Sequence, residues 1–471
     1  MENELQVVIP ADRRVKLLLG KGRGGDGPLR WSSFLFRLPV EEGMLLYSTL
    51  TLELLLVPTA LVPALEAPAG ALREALHSRW FLVPPELDEH GLALDIRQTL
   101  RLLEPPAPWI TKYTVLTTTA CNARCAYCFE ERWSPRTMSL ETADRVADYM
   151  LAHSEGHHFQ IDWFGGEPLV NRRVMDRICT RLSEAGADFR SGMTTNGYLL
   201  DPETAAADAA LWRLKACQIT LDGREEAYNR IKNFIYPGVN AYRRVLGNIH
   251  AMAAAGVSVA IRMNFDLSNL EEIRLLTEEL IEEFRGEANV DASPIILYEH
   301  EEPGTTPWSP ETRRALQTAR LELLARLEAG GLGRPGRLPR AQLCHMCMAD
   351  SGDKITILPD GEIGLCEQHN QKHLIGHIDA PGLDEAARQA ACALRPEIPA
   401  CADCPLYPGC IRLALCRNQI CHPQRRASRE QQKLNSIRYE WEQYQERAAK
   451  NQPRPYEGSG IKDQGSGWGK G

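Results

Sequence analysis

The sequence is short of positive charge. Its 54 lysines and arginines face 62 aspartates and glutamates over 471 residues, a net charge of −8. That balance supplies no basic field for a phosphate backbone, so no nucleic-acid partner is expected. A clean apolar run of membrane-spanning length is also missing. The longest candidate, Met44 to Leu65, is interrupted by Glu53, Pro58 and Pro63, which reads as strands and a helix start, and no membrane is expected. Nor do the opening residues read as a secretory signal, because Glu2, Glu4, Asp12, Arg13 and Arg14 break up their short apolar runs. A cytoplasmic protein is expected, and in a reducing compartment the fourteen cysteines point to metal chemistry rather than to disulfides. Residues 1–105 carry no catalytic-looking cluster. The length leaves room for roughly two to four domains.

What the chain does have is a compact set of thiols. Cys121, Cys125 and Cys128 are separated by three residues and then by two. Three thiolates this close can hold one soft metal centre and leave a coordination position open for a small molecule, whereas a closed structural site takes four protein ligands. The alternative is a zinc site completed by a remote residue. The run Lys112–Thr119 just upstream is rich in β-branched residues and predicts a buried strand. That puts the triplet on a loop at a strand's C-terminal end, where β/α barrels keep their chemistry.

The triplet, with the aromatic Tyr127 before its last cysteine, resembles the signature of radical S-adenosylmethionine (SAM) enzymes. The resemblance implies that Cys121, Cys125 and Cys128 hold a [4Fe-4S] cluster whose fourth iron binds SAM, with Tyr127 beside it. The surrounding pattern agrees. Strand-like runs at 113–119, 159–164, 191–194, 217–221, 257–263 and 295–298 alternate with helical patterns near 139–153, 169–185, 202–213, 240–255 and 270–285. Six βα units predict a parallel sheet, and six rather than eight suits the family's partial (β/α)6 barrel.

Further motifs fall at the strand ends. Gly165-Gly166-Glu167-Pro168 follows the second strand. Glycines let a backbone approach a ligand closely, and a carboxylate there can accept from an ammonium. The resemblance assigns Gly165, Gly166 and Glu167 to the amino group of SAM. Thr194-Thr195-Asn196-Gly197 ends the third strand; similar stretches in the family line the SAM pocket, and Asn196 also fits a plain turn. Asp222 ends the fourth strand, placed to contact SAM or the substrate or to cap a helix, and is the candidate catalytic residue. Arg262 near the end of the fifth suits the SAM carboxylate or ribose, or a structural ion pair.

Beyond a helical link at 310–330 and the hinge Gly330–Gly336, the composition changes. Cys344, Cys347, Cys366, Cys401, Cys404, Cys410, Cys416 and Cys421 fall within a hundred residues, and Ile355–Cys366 reads as a hairpin around Asp360-Gly361 that delivers a cysteine. This region resembles the SPASM domain, an extension with two auxiliary [4Fe-4S] clusters; a pair of zinc sites is the alternative. By resemblance, Cys344, Cys347, Cys366 and Cys416 would serve the first cluster, and Cys401, Cys404, Cys410 and Cys421 the second. Five residues separate Cys410 from Cys416 where the family usually has three, and only four separate Cys416 from Cys421, so these last two can exchange roles or leave a site open. Cys179, Cys217 and Cys392 lie in apolar patterns and read as structural thiols.

In residues 1–105, Val15–Leu19, Phe34–Phe36 and Met44–Leu52 read as strands, Pro63–His77 as a helix and Trp80–Val83 as another strand, with Leu92, Ile96, Leu100 and Leu103 on one helix face. Modules of this kind resemble the winged-helix peptide-recognition element that precedes many peptide-modifying radical SAM enzymes and binds a leader by strand addition; a purely structural extension is the alternative. The fold expected is therefore α/β: a peptide-recognition-like domain (1–105), a radical SAM partial barrel (106–305), a helical linker (306–340), a SPASM domain (341–425), a C-terminal helix (426–450) and a Gly/Ser-rich tail (451–471) whose composition predicts disorder.

The function implied is that of a radical SAM maturase. It would form a 5′-deoxyadenosyl radical and install an oxidative crosslink, thioether or C–C, in a ribosomally made precursor peptide. A flavodoxin, ferredoxin or reductase would supply electrons. The alternatives are a formylglycine-forming enzyme of the sulfatase-maturing type, a small-molecule dehydrogenase, and a non-catalytic metal-bearing scaffold that binds a peptide.

Overall fold

The computed structural model describes residues 4–20, 27–128, 134–297, 308–334, 336–341, 347–367, 373–416 and 421–450. The described residues divide into two compact units, one drawn from within 1–89, 335–342 and 430–471, the other from within 90–334 and 343–429.

The first unit is built on the apolar run that raised the membrane question. β1 (Gln6–Ile9) leads into α1 (Arg13–Leu19), followed by β2 (Arg30–Trp31), β3 (Leu35–Val40), β4 (Gly43–Ser48) and β5 (Leu54–Pro58). The run folds back on itself as β4 against β5, pairing Met44 with Val57 and Leu46 with Leu55, within an antiparallel sheet of order β1-β5-β4-β3. Val15–Leu19 is not a strand. Asp12 caps a helix there, accepting from the Arg14 N–H at 2.8 Å and the Val15 N–H at 3.3 Å, and only Val15 of the segment is buried. The helix expected over 63–77 is also divided, into a 3₁₀ turn at Thr59–Leu65 and α2 (Gly70–His77), since Pro68 between them has no N–H to continue the ladder. β6 (Leu82–Val83) pairs with β2.

The second unit holds the parallel sheet. α3 (Glu89–Leu103) enters it, then β7 (Lys112–Thr118), α4 (Leu140–Ser154), β8 (Phe159–Gly165), α5 (Arg172–Glu184), β9 (Phe189–Thr195), α6 (Ala205–Leu211), β10 (Leu214–Thr220), α7 (Glu225–Lys232), α8 (Ala241–Ala254), β11 (Ser258–Phe265), α9 (Leu270–Glu283), β12 (Val290–Ile296) and α10 (Pro310–Ala329). Strands β7 to β12 lie side by side in sequence order, all parallel. Alternate residues are buried, as in β8, where Phe159, Ile161 and Trp163 are inaccessible or nearly so. The expected strand end Tyr298 lies outside the described residues. Helix α7 was not expected: Ala227, Tyr228 and Lys232 form its buried face, and a lysine there hides the apolar period.

After α11 (Met348–Ser351) come β13 (Lys354–Ile357), β14 (Glu362–Gly364) and β15 (Leu374–His377), then α12 (Glu385–Cys392) and α13 (Pro423–Ala449). The hairpin β13–β14 forms around Asp360-Gly361, and β13 adds parallel to β7, Ile355 opposite Tyr113 and Ile357 opposite Val115. Among the described residues the sheet thus has nine strands in the order β12-β11-β10-β9-β8-β7-β13-β14-β15, and β7, which leads into the cysteine triplet, is not an edge.

Candidate active site at the C-terminal edge of the parallel sheet

The loop after β7 is fixed by its neighbours. Gly166 N–H donates to the Thr118 carbonyl at 3.1 Å and Glu167 N–H to that of Ala120 at 3.0 Å. A β-carbon on Gly165 (φ +129°) would stand 2.1 Å from the Thr118 oxygen, and one on Gly166 2.4 Å from the Ala120 oxygen. Glycine is therefore needed at both places for the β8 turn to lie against the cysteine loop. On the other side, Arg124 N–H donates to the Lys232 carbonyl at 2.9 Å and Ile235 N–H to the Asn122 carbonyl at 3.0 Å, so the end of α7 clamps the same loop. Asn196 Nδ2 reaches Asn122 Oδ1 at 2.7 Å and Cys121 Sγ at 3.9 Å.

Glu167 is fully buried. Its carboxylate accepts from Leu169 N–H at 3.1 Å, Thr195 Oγ1 at 2.7 Å and Asn196 N–H at 2.8 Å. Burial pushes its pKa up to about 7 against the pull of the bonds from Asn196, Thr195 and Leu169. Glu167 thus ties the ends of β8 and β9 together.

Below the loop lies a network that links several of the residues singled out from the sequence with others that were not. Tyr127 OH donates to Asp222 Oδ2 at 2.6 Å. Lys232 Nζ lies 2.7 Å from the same oxygen, 2.9 Å from Tyr127 OH and 2.6 Å from Thr220 Oγ1. Asn264 Nδ2 is 3.5 Å from Tyr127 OH, and Asn264 Oδ1 accepts from Arg262 Nε at 2.7 Å. Burial opposes the charge on Lys232, but Asp222, with Tyr127, Cys125 and Tyr228 adding to it, outweighs burial and holds the lysine pKa well above its ordinary value. Lys232, Thr220, Asn264 and Asn122 were not identified from sequence. The one signal was a lysine at i+4 from Tyr228 on an otherwise apolar helix face. Among the described residues, three buried polar atoms here have no hydrogen-bond partner, Asn122 Nδ2, Asp222 Oδ1 and Tyr228 OH.

These residues fit an iron–sulfur centre with SAM. Three partly buried thiols share one loop, and Cys121 is pushed up to about 12 chiefly by burial, with Glu167 and the other two thiols adding to it. Such thiols ionise when a metal centre replaces their protons. The unpartnered Asn122 and Asp222 atoms leave a donor and an acceptor for a polar ligand.

Among the described later cysteines two groups are in electrostatic range of one another, Cys401, Cys404, Cys410 and Cys421 in one, and Cys347 with Cys416 and Cys392 in the other. Tight turns curl the chain from Cys401 to Cys410: Cys404 N–H donates to the Cys401 carbonyl at 3.1 Å, Tyr407 N–H to Cys404 at 3.1 Å and Cys410 N–H to Tyr407 at 3.0 Å. Burial raises the thiols of Cys404, Cys410 and Cys421, and each is raised further by others of the set that includes Cys401. Cys347 caps α11 and lies within electrostatic range of Cys416. Cys366 follows β14, and Cys344 lies outside the described residues. Cys179 and Cys217 are buried. Cys392 departs from the expected buried thiol: it is half-buried, donates to the Ala349 carbonyl at 3.2 Å and has Cys347 in electrostatic range. Among the described residues no three His, Cys, Asp or Glu side chains close around a single metal ion. No helix among them is long and apolar enough to cross a membrane.

Residues 115–280 match the model of the Radical SAM superfamily. The GTP 3′,8-cyclase of Paracoccus denitrificans is 33% identical over 167 residues, 34% of this chain and 45% of that protein. The GTP 3′,8-cyclase of Ectopseudomonas mendocina is 26% identical over 323 residues, 64% of this chain and 93% of that protein. Among solved structures, native anSMEcpe with bound AdoMet and Kp18Cys peptide superposes with a TM-score of 0.53 at 14% identity, covering 71% of this chain and 99% of that one. This last likeness is one of fold.

Proposed function

The chain carries a radical SAM domain over residues 115–280, and from that premise we propose that it is a peptide maturase that installs an oxidative crosslink, thioether or C–C, in a ribosomally made precursor. Cys121, Cys125 and Cys128 would hold a [4Fe-4S] cluster. Tyr127, Gly165, Gly166, Glu167, Thr195, Asn196 and Arg262 would surround SAM, with Asp222 nearest the reacting groups. When bound, this pair supplies a 5′-deoxyadenosyl radical that abstracts a substrate hydrogen. The protein's own residues orient and enclose: Glu167 joins two strand ends, Asn196 anchors the cysteine loop, and the Asp222–Lys232–Tyr127 network sets the floor.

Cys347, Cys366 and Cys416, with Cys344, would hold one auxiliary cluster in a SPASM-like region of 341–425, and Cys401, Cys404, Cys410 and Cys421 a second. Residues 1–105 would act as the winged-helix-like leader-binding domain ahead of a partial (β/α)6 barrel (106–305), and β3, an edge strand of the first unit's sheet, offers a place for strand addition. A flavodoxin, ferredoxin or reductase would supply the electron.

The observation that carries this reading is the cysteine loop held between Gly166 and Lys232 at the C-terminal edge of the parallel sheet, in a chain with a second set of four mutually close cysteines. After anaerobic reconstitution, about twelve irons per chain and release of 5′-deoxyadenosine on adding SAM and dithionite are expected. Candidate peptides should then lose a pair of hydrogens by mass spectrometry. The GTP 3′,8-cyclase relatives favour a second reading, a nucleotide substrate. Consumption of GTP, with no peptide altered, would replace the first reading by the second.

A further inference from the structure

Arg97 lies between the two groups of later cysteines. It stands on α3 and is 6% exposed. Its Nη1 donates to the Cys410 carbonyl at 3.2 Å, and its Nη2 lies 3.4 Å from Asp350 Oδ2. Asp350, which also pairs with Arg101, accepts from the Cys347 N–H at 3.0 Å. One buried guanidinium therefore touches the backbone of a cysteine in one group and the carboxylate that caps a cysteine in the other.

The two groups differ in the balance of charge around them. Arg426 donates to the Ala400 carbonyl at 2.9 Å and the Asp403 carbonyl at 3.1 Å, the residues just before Cys401 and Cys404. Its side-chain partner Asp403 is 81% exposed, so water screens that carboxylate far more than the buried donors. Arg412 and Arg429 lie within electrostatic range of Cys410. At the other group carboxylates stand against the cations: Asp350, which caps Cys347, is paired with Arg97 and Arg101, and Glu367, directly after Cys366, has Lys112 in electrostatic range.

An iron–sulfur centre gains negative charge on reduction. Hydrogen-bond donors and fixed positive charge beside it favour the reduced form, and carboxylates favour the oxidised one. We propose that Arg97, aided by Arg426, holds the Cys401/Cys404/Cys410/Cys421 site at a higher reduction potential than the Cys347/Cys366/Cys416 site, so that an electron arriving at the latter moves on to the former. The transfer is of one electron: the first site is oxidised as the second is reduced, and no proton or bond changes. Arg97 is a tuning residue in this scheme, and the inference rests on the two-cluster reading above.

The test is a redox titration of the reconstituted full chain, followed by electron paramagnetic resonance, with iron counted in every sample. In Arg97→Gln the higher-potential auxiliary signal should fall about tenfold in its reduced-to-oxidised ratio at fixed ambient potential, a shift of about 59 mV for a one-electron couple. Arg97→Lys, which keeps the charge, should restore most of it. Should Arg97→Gln lose iron, Arg426→Gln, whose side chain is 19% exposed, gives the same readout, a lowered midpoint with full iron. Full iron and an unchanged midpoint in both neutral variants would overturn the inference alone. About four irons in the unsubstituted chain would instead overturn the two-cluster reading, and this inference with it.

Discussion

The ammonium of Lys232 lies 2.7 Å from Asp222 Oδ2, with 3% and 1% of the two side chains exposed. The pair joins the end of β10 to the end of α7, and the carbonyl of the same lysine accepts from Arg124 in the cysteine loop at 2.9 Å. One residue thus supports the loop from its backbone and the floor from its side chain.

Removing one partner of such a pair leaves the other charge buried. Lys232→Met should cost about 3–5 kcal/mol in anaerobic urea unfolding. The double variant Lys232→Met/Asp222→Leu should lose clearly less than the two single losses added together. Strict additivity would show that the pair carries no coupling.

Tyr127→Phe removes the hydroxyl between Asp222 and Lys232 but leaves the ion pair and the ring. A loss of about 1–3 kcal/mol is expected, with iron content and the KM for SAM close to those of the parent. Tyr127→Ala should raise that KM. Equal KM values for the two variants would remove the ring from the SAM site.

Gly166→Ala tests the fit of the loops. Its β-carbon would meet the Ala120 oxygen at 2.4 Å, so the cysteine loop or the β8 turn must move. Iron should drop from about twelve to about eight per chain as the loop cluster is lost, with the two later sites retained. A full complement of iron would show that the loop tolerates the shift.

His250 provides a pH dependence away from the site. Burial opposes its charge, but bonds to Glu283 at 3.0 Å and Glu287 at 2.6 Å outweigh it and raise its pKa. The folded value then lies above the unfolded one of about 6.5. The stabilisation is full below that value and is lost as pH rises through the folded pKa. The urea midpoint of the parent should exceed that of His250→Gln at pH 6, and the gap should narrow by pH 8.5. A gap independent of pH would mean that the histidine is neutral throughout.

Much of this was legible because the signals are local. The spacing of Cys121, Cys125 and Cys128, the glycines at 165 and 166, and the alternation of six apolar strands with helices are properties of short windows. The strand period and helix period they follow are set by backbone geometry. Local reading failed where a single side chain changed the outcome. Asp12 turned an apolar stretch into α1 by capping it, and Pro68 divided one expected helix.

Tertiary structure decided what depends on pairing between distant segments. Nothing in the run Lys354–Ile357 says that it will add to β7, because an unpaired strand edge accepts any compatible partner and only packing selects one. Lys232, on a face that breaks the apolar period, has meaning only beside Asp222 and Cys125. Arg97 reads as an ordinary charged position on a helix until the fold sets it against Cys410 and Asp350. A sequence window reports which groups can do chemistry. Which of them share a low-dielectric site is settled by long-range packing, where burial makes each charge count.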